Sequence, residues 1–229
     1  MVPSARAWMS WSGGKDACAA LGLLRRDRTT TVQALLTTLA DDPARVAIHE
    51  VPATLIRRQA QALGLRLVEG VVPAGSSNEA YEAALSSAVA AARSEGVDTL
   101  AYGDLHLEDV RAYRDAAARR LGVRTLYPNW GREPAAFARL IVAMGIRAVV
   151  CAVDGAKLPA EFAGRDYDDA FLADLPPSVD PCGENGEFHT FVYDGPGFSA
   201  PVPFACGEPR AEGALIVSPL APPCPQRGG

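Results

Sequence analysis

Apolar positions along the first half of the chain switch between two periods. Ala7 to Trp11 is a short apolar run that stops at Ser12-Gly13-Gly14. Asp16 to Arg26 sets Ala17, Ala20, Leu21 and Leu24 on one face, the 3.6-residue spacing of a helix. Thr31 to Thr38 is rich in Thr, Val and Leu and reads as a second strand, broken by Asp41-Asp42-Pro43. Pro52 to Leu63 is helical, with proline near its start and Gly64 after its end. Leu65 to Val72 is a third strand and Asn78 to Glu95 a long Ala-rich helix. Val97 to Tyr102 is a fourth strand, Glu108 to Leu121 a helix, and Arg124 to Tyr127 a fifth short strand. Strands alternating with helices of this length predict βαβ units, hence an α/β fold with a Rossmann-like parallel sheet. Such sheets bind ligands beyond the carboxyl ends of their strands. Ser12 to Lys15, Thr37-Thr38 and Gly103-Asp104 all fall at such ends, so one rim collects three polar clusters.

The second half changes character. Ala135 to Met144 reads as a helix and Ile146 to Val153 as a buried strand, after which Gly and Pro recur and the chain reads as loop-rich. The expectation is a nucleotide-binding domain over 1–127, a smaller α+β substrate-binding domain over 128–220, and a flexible Pro/Gly-rich tail over 221–229.

Composition narrows the class. No apolar run reaches the roughly 18 residues needed to span a bilayer, and the first ten residues do not read as a secretory signal. A cytoplasmic enzyme with no membrane partner is the expectation. The net charge of -5 disfavours a nucleic-acid partner, which requires basic surface. The five cysteines are odd in number and none is spaced C-x-x-C, which argues against a disulfide framework or a paired-cysteine metal site. Only Lys15 and Lys157 are lysine among 22 basic residues. A lysine kept inside a Gly-rich turn suits a compact charge that reaches phosphate oxygens.

That turn is Ser12-Gly13-Gly14-Lys15-Asp16. Its glycines let backbone approach an anion closely. A helix starts at once, so free N–H groups and the positive dipole end face the same anion. Ser12 adds a hydroxyl donor, and Asp16 sits where it can hold Mg²⁺ bridging phosphate oxygens. The spacing is neither the Walker A pattern nor G-x-G-x-x-G.

The string S-G-G-K-D after a first strand resembles the pyrophosphate loop of the adenine nucleotide alpha hydrolase superfamily, the N-type ATP pyrophosphatases. The resemblance implies that Ser12, Gly13, Gly14 and Lys15 hold the phosphates of ATP and that Asp16 assists Mg²⁺. It also implies α–β cleavage to AMP and pyrophosphate through an adenylated intermediate. The superfamily commonly has Ser or Thr where this chain has Ala17, so one hydroxyl contact to phosphate is missing. A second string, Asp180-Pro181-Cys182-Gly183-Glu184-Asn185-Gly186-Glu187-Phe188-His189-Thr190, is similar to the C-terminal signature of the diphthine–ammonia ligase family and its bacterial relatives. Gly103-Asp104, Glu108-Asp109-Val110-Arg111, Tyr127-Pro128-Asn129-Trp130 and Ala163-Gly164-Arg165 fit the same family. The resemblance covers about residues 5 to 205.

Read from the residues alone, Glu184 and Glu187 put two carboxylates on a tight turn. They can grip an amine and take its protons, ligate a metal together with Cys182 and His189, or structure a loop. Cys182 can be a nucleophile or structural; neighbouring carboxylates raise a thiol's pKa, which favours the second. Arg111 can contact phosphate or acceptor, or pair with Glu108 on its own helix.

The leading expectation is an ATP-dependent amide-forming ligase. It adenylates a small-molecule or protein carboxylate, releases pyrophosphate, and lets ammonia or an amine displace AMP. Lys15, Asp16, Glu184 and Glu187 would be catalytic. Thr37, Gly103 and Asp104 would join the ATP site. Arg111, Cys182, Glu184, Glu187 and His189 would line the acceptor site. Two alternatives are a tRNA-modifying ATP pyrophosphatase and a non-catalytic adenine-nucleotide-binding regulator. Assembly is left open, a homodimer among the options.

Overall fold

The structure is a computed structural model that describes residues 5–39, 51–71 and 78–223. The Asp41-Asp42-Pro43 breaker and residues 224–229 of the expected tail lie outside the described residues.

Five strands build the first sheet: β1 (Ala5–Ser10), β2 (Thr30–Leu39), β3 (Arg66–Val71), β4 (Thr99–Ala101) and β5 (Arg124–Leu126). They are parallel and ordered β3-β2-β1-β4-β5. The helices between them are α1 (Lys15–Asp27), α2 (Ala53–Ala62), α3 (Asn78–Ser94) and α4 (Glu108–Arg120). The Rossmann-like α/β reading is therefore the observed fold. β1 is central and buried on both faces, as parallel sheets require. Met9, Leu35 and Ala101 pack into one core with α1 and α2, while Trp8, Ala34, Leu36 and Leu100 pack into a second core with α3 and α4.

The strand order reverses between β1 and β4. At such a switch point the flanking loops turn apart and leave a crevice at the carboxyl edge. The loops after β1 and β4 carry Ser12–Asp16 and Gly103-Asp104, so the topology sets both clusters beside that crevice.

The rest of the described chain is a smaller α+β region. α5 (Pro134–Ala143) is capped by Glu133, whose carboxylate accepts from the N–H groups of Ala135 and Ala136 at 2.9 and 2.7 Å. β6 (Arg147–Asp154) follows, then α6 (Asp169–Asp174), β7 (Phe188–Asp194), β8 (Ala205–Cys206), β9 (Arg210–Glu212), β10 (Leu215–Val217) and β11 (Leu220–Ala221). β7, β6, β10 and β9 form an antiparallel sheet in that order, and β8 pairs with β11. The stretch after Val153 thus holds more strand than its glycines and prolines suggest. Phe188, Thr190, Phe191 and Val192 are buried in β7, and their burial offsets the weak local signal.

The two regions share one core. Apolar residues of α1, α2 and α5 pack with those of β6 and β7. β7 also grips the loop after β1: Val192 N–H donates to the Gly13 carbonyl at 2.9 Å, and Lys15 N–H donates to Thr190 Oγ1 at 3.1 Å. Among the described residues no helix is long and apolar enough to cross a membrane.

Candidate active site

A cavity of about 430 Å³ opens at the switch point. Its walls include Ser12, Gly14, Lys15 and Asp16 from the β1 loop, Thr37 from the end of β2, and Gly103 and Asp104 from the loop after β4. Cys182, Glu184 and His189 close it from the smaller region. Ten residues from four separate stretches of sequence thereby meet in one space.

Three expected residues do not line it. Gly13 turns its carbonyl toward β7, away from the cavity wall. Glu187 is buried, and its carboxylate accepts from Asn185 N–H at 3.0 Å and Asn185 Nδ2 at 3.2 Å. Glu184 and Glu187 therefore do not face a ligand as a pair: Glu187 shapes the turn that delivers Glu184. Arg111 lies over Trp130 at 4.4 Å and over Tyr127 at 5.1 Å, and reaches Asp115 at 3.7 Å rather than Glu108. Its charge is taken up by those two rings and by Asp115.

The loop after β1 runs directly into α1. Gly14 is the N-cap of α1 and contributes no side-chain cap; among the first-turn N–H groups, that of Lys15 is taken by Thr190 Oγ1 from β7. Gly14 N–H lies 3.3 Å from Ser12 Oγ. A Cβ on Gly14 would stand 3.3 Å from the Thr190 carbonyl oxygen, a tight contact that would make β7 give by a few tenths of an ångström.

Lys15 is 2% exposed. Its Nζ pairs with Asp16 Oδ2 at 2.9 Å, donates to the Cys182 carbonyl, and lies 5.1 Å from the Phe188 ring centre. Burial opposes its charge, but Asp16, the Cys182 thiol and Glu184 more than offset that, and its pKa is held above the ordinary lysine value. Lys15 thus stays charged and ties the β1 loop to the Cys182–Glu184 turn.

Three carboxylates border the cavity. Burial raises Glu184 to about 7; the Asp16 and Asp104 charges push the same way, against Leu105 N–H and Lys15. Glu184 Oε2 accepts from that Leu105 N–H at 3.2 Å. Burial likewise raises Asp104, opposed by Arg114 and assisted by Asp16. Asp16 Oδ1 is buried with no hydrogen-bond partner, as is Thr37 Oγ1. Burial, then the positive charge of Lys15, lowers His189 and keeps it neutral. Burial pushes the Cys182 thiol well above the ordinary cysteine range, with Lys15 too weak to reverse it. Its Sγ donates to the Pro134 carbonyl at 3.3 Å. A thiol so placed is not poised as a nucleophile.

Sequence reasoning passed over Arg114. Its Nη1 lies 2.8 Å from Asp104 Oδ2 and its guanidinium stacks over Tyr102 at 4.3 Å. It lines the cavity where Arg111 does not. The two arginines share one helix face at i and i+3, and sequence spacing alone does not say which one turns inward. Thr190 and Tyr102 also line the cavity; both sit inside strings already singled out.

The comparisons with known proteins agree with this geometry. The family description "diphthamide synthase N-terminal domain" matches residues 5–125, and "diphthamide synthase C-terminal domain" matches residues 133–208. No curated protein matches the chain. The two matches span the parallel sheet and the β6–β7 pair that together wall the cavity, and the chain belongs to the diphthamide synthase family, enzymes of the ATP-using ligase type.

Proposed function

We propose that the chain is an ATP-dependent amide-forming ligase whose reaction takes place in the switch-point cavity. The observation that carries this reading is the convergence of the Ser12–Asp16 loop and the start of α1 with Glu184 in one space. ATP would lay its phosphates on Ser12, Gly14 and the first turn of α1. A carboxylate oxygen of the acceptor attacks the α-phosphorus, the α–β bond breaks, and pyrophosphate leaves. The nitrogen of ammonia or an amine then forms the C–N bond at the acyl carbon and sheds a proton to the Glu184 carboxylate. The C–O bond to AMP breaks, and its electrons leave on the AMP phosphate.

Glu184 suits that second step because a base poised near neutrality is present in both protonation states. Lys15 would offset the charge of pyrophosphate from beneath the loop. Arg114 would hold Asp104 in place. The buried Asp16 Oδ1 without a partner fits Mg²⁺, which keeps several waters and takes one or two carboxylates beside phosphate oxygens. Among the described residues no group of three or more ligand side chains forms a ready metal cage, so Asp16, with Asp104, would be the protein's share of that ion. When bound, Mg²⁺ supplies charge stabilisation to the phosphates.

The test separates the two steps. Wild-type protein and Glu184→Gln are given ATP, a panel of carboxylates and either ammonium or hydroxylamine at pH 7. Hydroxylamine is largely neutral there and traps an acyl adenylate without help from a base. Glu184→Gln should lose amide formation with ammonium and keep hydroxamate formation. Equal amide formation by both proteins would remove Glu184 from the chemistry.

A further inference from the structure

The Gly13-Gly14 pair creates a difficulty for its own site. Gly13 sits at φ +83, and two successive glycines leave their shared peptide free to rotate. A flipped peptide would aim the Gly13 carbonyl oxygen at the space meant for phosphate and withdraw the Gly14 N–H. β7 holds this peptide from one side, where Val192 N–H donates to the Gly13 carbonyl at 2.9 Å, and a second hold comes from a side chain.

Two fully buried carboxamides lie against the loop. Gln59 on α2 donates from Nε2 to the Gly13 carbonyl at 2.9 Å and to the Val192 carbonyl at 2.6 Å, and its Oε1 accepts from Trp11 Nε1 at 2.8 Å. Every polar atom of this side chain is used, and all of it is spent on the loop and on β7. Asn129, just beyond β5, donates from Nδ2 to the Asp16 carbonyl at 3.0 Å and to the Gly103 carbonyl at 2.8 Å. Its Oδ1 is buried with no partner. An acceptor left unpaired in a core costs stability, so the side chain is kept for its donors.

Resting on the ligase reading, we propose that Gln59 and Asn129 are positioning residues that lock the phosphate loop in its anion-binding form. Gln59 joins Val192 N–H in holding the Gly13 carbonyl away from the ligand, and Asn129 pins the first turn of α1, through the Asp16 carbonyl, to the loop after β4. The Gly14 N–H and the first-turn N–H groups beyond Lys15 then face the phosphates with no reorganisation left to do on binding. The clamp acts on the phosphate end of ATP and not on the base.

The test reads that asymmetry. Affinities for ATP and for adenosine are measured by calorimetry on wild type, Gln59→Met and Asn129→Leu, with Leu63→Ala as a variant of the same helix end that leaves the clamp intact. Both clamp variants should weaken ATP by about tenfold or more, the loss of a preorganised charge-assisted contact, and leave adenosine unchanged. Leu63→Ala should leave the ATP-to-adenosine ratio at the wild-type value. Should Gln59→Met not fold, Asn129→Leu carries the same comparison from the other end of the loop. ATP affinity unchanged in a folded clamp variant, or ATP and adenosine weakened alike, overturns the clamp and leaves the ligase reading standing. Failure of the wild type to bind ATP overturns both.

Discussion

Gly103→Ala should damage the protein although its backbone conformation is open to any residue. Gly103 is absent from the glycines with positive φ, so strain is not the issue. Contact is. A Cβ there would stand 2.9 Å from Asp16 C and Ala17 N and 3.0 Å from Asp16 O, all backbone atoms that cannot swing aside. Carbon contacts settle at about 3.5–4.0 Å, so the β1 and β4 loops must part by roughly 0.5–1 Å. Asn129 Nδ2 bridges these loops at 3.0 and 2.8 Å, and that separation takes one bond beyond hydrogen-bond range. Overpacking costs about 1–3 kcal/mol and the lost bond about 1 kcal/mol. The sum is roughly 2–4 kcal/mol, or a melting temperature lower by about 5–15 °C for a chain of this size. Thermal denaturation followed by circular dichroism reads the shift, and a nucleotide titration reads the accompanying loss of ATP affinity. A melting temperature within about 2 °C of wild type, with unchanged ATP affinity, would refute the close packing of the two loops.

Other expectations follow from the charges. Glu184 has a folded pKa of about 7 against an ordinary 4.5, so the folded protein holds this proton longer than the unfolded chain. Stability is therefore lost as pH rises between those values, and Glu184→Gln should melt higher than wild type at pH 8, with the gap closing toward pH 4. A gap that does not depend on pH would contradict the raised pKa. Arg114→Ala removes the partner of Asp104 at the cavity wall and should lower pyrophosphate release by tenfold or more, whereas Arg111→Ala, whose side chain packs on Trp130 outside the cavity lining, should stay within about twofold. The reverse order would mean that α4 is turned differently in the working enzyme.

Much of the fold was legible because burial follows period. The β–α alternation through Leu126 and the turn at Ser12–Asp16 are written in local spacing, glycines and a helix start. Convergence of the loop with Cys182–His189 was legible only through family resemblance, since no local rule places residues 170 apart in one cavity. What escaped was orientation within an element. Arg111 and Arg114 differ by one turn of helix, and Glu184 and Glu187 by one tight turn; only packing decides which faces the ligand. Gln59 and Asn129 escaped for a related reason. A polar residue in an amphipathic helix or a loop reads as solvated, and nothing local shows that its amide is aimed at a carbonyl of a distant turn. β7 was hidden among glycines and prolines because its stability comes from pairing with β6 rather than from its own propensity.

The most direct measurement concerns the bond that is cut. Wild-type protein and Lys15→Ala are incubated with ATP, Mg²⁺, ammonium and a panel of carboxylates, and the nucleotide products are resolved by chromatography. The wild type should form AMP and pyrophosphate only when its acceptor is present, and Lys15→Ala should lose that activity by two orders of magnitude or more, as removal of a charge aimed at the developing anion does. Formation of ADP and phosphate, or full turnover by Lys15→Ala, would contradict an ATP site at the Ser12–Asp16 loop.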